Sequence, residues 1–173
     1  LIERCVARGA ELGIGVGTQT VHPEPEGAHT GEIAAEMVAD AGAGWTLVGH
    51  SERRRDQGES DADVARRAEA AVRAGLAPMI CVGETLEERN AGDAESVVRR
   101  QLAAVTGALD AESLGLAAFA YEPVWAIGTG ETASDEQAQA MHRVVREALG
   151  EASDALAGRP ILYGGSVKPA NAA

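Results

Sequence analysis

Glu122 closes the apolar run LAAFAYE and is followed at once by Pro123, within the stretch YEPVWAIGTG from Tyr121 to Gly130. Pro123 cannot continue a central strand, and Gly128 and Gly130 weaken any regular element, so the residues past Glu122 read as a loop. A carboxylate at that junction is expected at the mouth of a sheet, half buried, where desolvation suits it to act as a general base. The competing reading is a strand-end carboxylate that caps a helix or pairs with an arginine. The neighbours weigh toward the base. Trp125 and Ile127, between a proline start and a glycine tail, are expected to be exposed when the loop is open and buried over a ligand when it closes as a lid.

His50 follows the run WTLVG and opens GHSERRR. Its position at a strand end points the ring into the same mouth as Glu122, and Ser51 to Arg53 read as a short helical turn. An imidazole at a helix N-terminus stays neutral and can donate a hydrogen bond without carrying charge. A satisfied structural histidine is the alternative. His22, His29 and His142 lack such placement, and His142, in mid-helix, reads as a surface residue. Gly128, Gly164, Gly165 and Ser166 could hold phosphate or another oxyanion through backbone N–H groups, although YGGS could equally be a tight strand-to-helix turn. Ser60 and Asp61 read as helix N-caps, Cys81 reads as a small core residue, and no His/Asp/Glu cluster has metal-ligand spacing.

Elements able to position these residues follow from the periodicity. Five short apolar runs, Leu12–Gly17, Trp45–His50, Ala77–Glu84, Leu116–Glu122 and Pro160–Ser166, alternate with helical patterns over Glu32–Ala41, Asp61–Ala74, Glu95–Leu109 and Asp135–Leu149. The runs are apolar on both faces, as parallel strands covered by helices are. The fold class is α/β, in one domain spanning residues 1–173. Two closures fit, an open doubly wound sheet or a (β/α)8 barrel, and His50, Glu84, Glu122 and Ser166 lie at strand ends in either. GIGVG at Gly13–Gly17 lacks the spacing of a dinucleotide fingerprint.

The formal charge of -12 is spread along the chain and argues against nucleic acid or an anionic membrane as partner. An anionic ligand must therefore be attracted by local dipoles. Two cysteines do not make a disulfide scaffold, and no segment reads as a signal peptide or membrane span, so a reducing cytoplasm fits best.

GHSERR at Gly49–Arg54, CVGE at Cys81–Glu84, YEPVWAIGTG and YGGSV at Tyr163–Val167 resemble, in order and spacing, the motifs of the triosephosphate isomerase family; GAHTGEI at Gly27–Ile33 resembles its third loop more weakly. The resemblance covers essentially the whole chain. It implies a TIM (β/α)8 barrel, a homodimer, a small phosphorylated sugar as substrate and no cofactor or metal. By the same resemblance Glu122 is the catalytic base and His50 the neutral catalytic electrophile. Gly128 and Ser166 bind substrate, Glu52 and Arg53 support the site from behind, and Glu84 is structural. The lid comprises Pro123, Val124, Trp125, Ala126, Ile127, Gly128, Thr129 and Gly130, running on to Ala133. Thr30 is the implied dimer contact.

Complete family barrels run to about 250 residues, and about five of eight strand units can be counted here. The chain is expected to begin in the helix before the third strand and to stop after the seventh, without the strand that carries the family's substrate-binding lysine. Lys168 is the one lysine present. Gln57, Thr20, Glu131 and His29 depart from residues common in the family and leave room for an isomerase of tetrulose phosphates, while the lid text AIGTGETAS favours the triose substrate. A non-catalytic phosphate-binding remnant is the alternative from another class. This polypeptide made alone is expected to be poorly active or inactive, its open sheet edges favouring aggregation; measurable turnover by the purified chain would overturn that expectation.

Overall fold

The computed structural model describes residues 1–167. Five parallel strands form one sheet, β1 (Gly17–Thr18), β2 (Trp45–Val48), β3 (Ala77–Val82), β4 (Ala118–Tyr121) and β5 (Ile161–Tyr163), paired in the order in which they occur in the sequence. A doubly wound sheet reverses its strand order at a switch point; this one does not, so the sheet is five consecutive units of a (β/α)8 barrel. The register aligns Val48 with Ile80 and Val82 with Tyr121, which brings the residues that follow these strands to one end of the sheet.

Seven α-helices accompany the strands: α1 (Ile2–Leu12), α2 (Ala35–Asp40), α3 (Ser51–Gln57), α4 (Asp61–Arg73), α5 (Leu86–Asn90), α6 (Ala94–Ala108) and α7 (Asp135–Ala152). The sequence pattern locates α2, α4, α6 and α7 to within a few residues and shows α3 as a turn. The expected strand at Leu12–Gly17 is corrected. Leu12 ends α1, Gly13 caps it in the left-handed conformation at φ 67°, and pairing begins at Gly17. A side chain at Gly17 would enter the Trp45 ring, 2.1 Å from its Cδ2, so the strand start lies directly against the indole.

Side by side, α4, α6 and α7 cover the sheet. The main core gathers Val48, Ile80, Val82, Phe119 and Tyr121 from the strands with Val64, Val98, Leu102, Val145 and Leu149 from those helices. A second cluster, Val21, Val38, Ala71 and Leu76, receives Ile2 and Val6 of α1. Capping boxes start α4 (Ser60 with Asp63), α5 (Thr85 with Glu88) and α7 (Ser134 with Gln137). Ser60 is thus the cap it was expected to be, whereas Asp61 is the first helical residue and pairs with Arg54 and Arg100.

The hydroxyl and N–H of Ser60 and the Arg66 guanidinium hold the Asp63 carboxyl at about 2, below its ordinary 3.8. Because the folded value lies below the unfolded one, the stabilisation is complete above about pH 4 and is lost as pH falls toward 2. Urea titrations of the intact protein should show Asp63→Asn less stable than wild type at pH 5, with the gap closing toward pH 2; a gap independent of pH would contradict the assignment.

Candidate active site

His50 is placed by the end of β2 and the start of α3. It is the N-cap of that helix, and its Nδ1 accepts the Glu52 N–H at 3.2 Å. An N–H can only donate, so Nδ1 carries the lone pair and the proton of the neutral ring sits on Nε2. Nε2 lies 3.3 Å from Glu122 Oε1. The ring borders a cleft of about 480 Å³ with Gln19, Thr20, Leu47 and Ile127.

Glu122 follows β4 and is buried at 4% exposure. Its Oε2 accepts the Ser51 N–H at 2.9 Å, so one carboxylate oxygen rests on the backbone of α3 and the other faces His50. The Glu122 N–H donates to the Val82 carbonyl at 2.8 Å, extending the β3–β4 ladder by one step. That step requires Gly83: a Cβ there would lie 1.8 Å from the Glu122 carbonyl oxygen, well inside contact distance. Gln101, from α6, completes the junction. Its Oε1 accepts from Gly83 N at 2.8 Å and its Nε2 donates to Gly83 O at 3.1 Å, both in the interior. Cys81 is a buried core residue, its thiol pushed well up by burial and by the neighbouring Glu122 carboxylate.

The segment that follows Glu122 is tied at its near end. Pro123 is followed by a single 3-10 turn, Val124–Ala126, and the Val124 N–H donates to the Glu84 carbonyl at 3.2 Å. The Glu84 side chain is fully buried, and its Oε1 accepts from Trp125 Nε1 (2.9 Å), Arg89 Nη1 (3.0 Å) and Tyr121 Oη (3.1 Å). Burial and the Glu84 carboxylate push the Tyr121 phenol up, which keeps its donor proton in place. Arg89 also lies over the Trp125 ring, 4.8 Å from its centroid. The expectation of exposed apolar side chains is therefore corrected: Trp125 is half-buried because its indole N–H has a buried acceptor, and Ile127 is half-buried against the His50 cleft.

Further along, Gly128 and Gly130 are exposed with φ of 72° and 88°, and Thr129 Oγ1 donates to the Trp125 carbonyl at 3.0 Å. Ser166 Oγ donates to the Ala126 carbonyl at 3.2 Å, joining the YGGS turn to the segment that follows Pro123. Gly164 is wedged beside Glu122: its N–H donates to the Tyr121 carbonyl at 2.7 Å, and a Cβ would lie 2.8 Å from Glu122 Cγ. Lys168 lies outside the described residues.

The two supporting residues divide. The Glu52 side chain is exposed, and it is the backbone N–H of Glu52 that serves His50. Arg53 borders the His50 cleft and enters a charge cluster, with Glu59 at 2.7 Å and Glu32 at 3.6 Å, where Arg67 also meets Glu59 at 3.1 Å. Arg53 thereby links α3 to the loop that carries Thr30, itself exposed. Among the described residues no group of three His, Cys, Asp or Glu side chains could hold a metal ion.

Two contributors escaped the sequence reading. The Ser51 amide could not be read, since a backbone donor has no letter of its own. Gln101 could have been found: it is a polar residue on the buried stripe Val97, Val98, Leu102 and Val105 of α6. Gln101→Leu should leave both Gly83 backbone groups buried and unpaired and cost about 2 kcal/mol or more. Chemical denaturation of the intact protein measures this, and a loss below about 0.5 kcal/mol would mean that water replaces the amide.

A sequence model described as triosephosphate isomerase matches residues 2–173. The chain is 51% identical over 173 residues to a triosephosphate isomerase of Ralstonia nicotianae, covering 99% of this chain and 70% of the relative. It is 57% identical over 158 residues to one of Cupriavidus pinatubonensis, covering 91% and 64%, and 50% identical over 169 residues to one of Alcanivorax borkumensis, covering 96% and 68%. The chain thus spans about two thirds of the length of these curated relatives. With nearly all of its residues matched, the chain belongs to the triosephosphate isomerase family.

Proposed function

We propose that the protein carrying this chain interconverts D-glyceraldehyde 3-phosphate and dihydroxyacetone phosphate. The observation that supports this reading most directly is the neutral Nε2–H tautomer of His50 facing the Glu122 carboxylate at 3.3 Å across the mouth of the sheet. A base and an uncharged donor so arranged suit proton transfer next to a carbonyl. Glu122 removes the proton from the carbon beside the carbonyl, His50 Nε2–H hydrogen-bonds the oxygens of the enediolate, and the proton returns to the adjacent carbon. General base catalysis supplies on the order of 10²–10⁴-fold, so donors fixed before reaction and exclusion of water carry much of the rest.

In this reading Gly128 and Ser166 bind the phosphate, as backbone donors and a hydroxyl in a chain of net charge -12. The segment from Pro123 to Gly130 closes over the substrate, and its tether to Glu84 sets the hinge. Glu52 and Arg53 hold α3 in place behind His50. Thr30 makes the contact of a homodimer, and the enzyme works in the cytoplasm within glycolysis and gluconeogenesis. Among the described residues no helix is long and apolar enough to cross a membrane.

Glu122→Asp, which withdraws the carboxylate by one methylene, should lower kcat by roughly 10²-fold with KM little changed, as a misplacement of about 1 Å does. The assay uses the intact protein with glyceraldehyde 3-phosphate and, in parallel, erythrulose phosphate. Faster turnover of the tetrulose phosphate, or a wild-type rate that Glu122→Asp leaves untouched, would sink the proposal.

A further inference from the structure

The sequence reading put His142 on the surface of α7, and the structure corrects it. The ring is half-buried between two strand tyrosines, edge-on to Tyr121 with centroids 6.1 Å apart and tilted against Tyr163 at 6.5 Å. Its Nε2 is buried without a hydrogen-bond partner among the described residues. Burial and the Arg146 charge lower its pKa, so the ring is neutral. In the Nδ1–H tautomer the ring presents Nε2 as a buried acceptor.

The complementary atom is beside it. Tyr163 Oη is likewise buried and unpartnered among the described residues, and the tyrosine and the histidine line the same cleft of about 340 Å³. Two orphaned polar atoms on adjacent rings, one a donor and one an acceptor, satisfy each other at far lower cost than either satisfies itself. The phenol also sets the height of the turn beyond it: a Cβ at Gly165 would lie 2.3 Å from Tyr163 Oη, so the backbone of Gly165 closes directly onto the hydroxyl. On the turn's other side, Gly164 is wedged against Glu122.

We infer that His142 is a positioning residue. Through Nε2 it accepts from the Tyr163 hydroxyl, directly or by one water, and so fixes the Gly164–Ser166 backbone at the height that phosphate binding requires. The inference rests on the proposed function, because it assigns the turn to the substrate's phosphate. His142 acts through Tyr163 and touches neither Glu122 nor the reacting carbon in this scheme. Its loss should therefore weaken anion binding more than it slows proton transfer.

The test compares wild type, His142→Asn, His142→Gln, Tyr163→Phe and the double variant His142→Asn/Tyr163→Phe in the intact protein. The readouts are kcat and KM for glyceraldehyde 3-phosphate and the inhibition constant of inorganic phosphate. Asn is too short to place an acceptor where Nε2 stands; Gln restores one there. His142→Asn should raise KM and the phosphate inhibition constant together by about 2- to 10-fold, the worth of one neutral hydrogen bond, with a smaller fall in kcat. Gln should recover most of that loss, and the double variant should bind phosphate no more weakly than Tyr163→Phe alone. A lowered Tm with unchanged KM, or effects that multiply in the double variant, would overturn the inference. So would Tyr163→Phe with wild-type phosphate affinity, a comparison that survives if the His142 variants do not fold. Wild-type protein without turnover of glyceraldehyde 3-phosphate would instead overturn the functional reading, and the positioning role with it.

Discussion

At the end of β3 there is no room for a side chain. Gly83 and the Glu122 carbonyl meet so closely that one added carbon would have to displace the last residue of the neighbouring strand. The arrangement of the site depends on that approach. It lets Glu122 take one more ladder step and deliver its carboxylate to the Ser51 amide. It also puts the next residue, Glu84, within reach of Trp125, so that Glu122 and the turn at Val124–Ala126 are fixed by adjacent positions on a single strand end. Gln101 keeps the buried backbone of this glycine from being left unpaired in the interior, where an unsatisfied group is costly.

The electrostatics follow from the same economy of side chains. An acidic chain cannot attract an anion with its overall field, yet the mouth of the sheet is furnished with uncharged donors: the Ser51 amide, the His50 ring N–H and the backbone of the glycine turns. Such donors are fixed by the fold and need no reorientation as charge develops on a substrate. The helix start that provides the Ser51 and Glu52 amides also settles the tautomer of His50, since Nδ1 is engaged as an acceptor. The cationic groups nearby are occupied elsewhere: Arg53 by Glu59, Arg54 by Asp61, Arg89 by Glu84.

Much of this was legible because chemistry-bearing letters stood at the ends of apolar runs. Glu122 and His50 were found that way, and the alternation of runs with helical periods gave the βα architecture. Choosing between barrel and doubly wound sheet needed the strand order, which no local pattern contains. Leu12–Gly17 was misread because its apolar letters belong to a helix end and a left-handed glycine. Helix α1 itself buries only Gly9 completely, too thin a stripe to stand out. His142 flanks the Met141, Val145, Leu149 stripe of α7, and its burial comes from tyrosines on other elements. Trp125 looked exposed for want of a partner; its acceptor is 41 residues away in the sequence.

The strands pair in the order in which the chain presents them, each with the one before. Every βα unit therefore finds its partner in the segment just made, and the loop that must close spans only the one or two helices between consecutive strands. Loop-closure entropy grows slowly with length, and folding slows as contacts become more distant in sequence. A sheet laid down in chain order can thus grow by accretion from its first paired strands, each addition templated by the edge already formed. The close approach at Gly83 needs β4 beside β3, so the setting of Glu122 depends on a strand that follows, in the chain, both the strand and the helix that receive it.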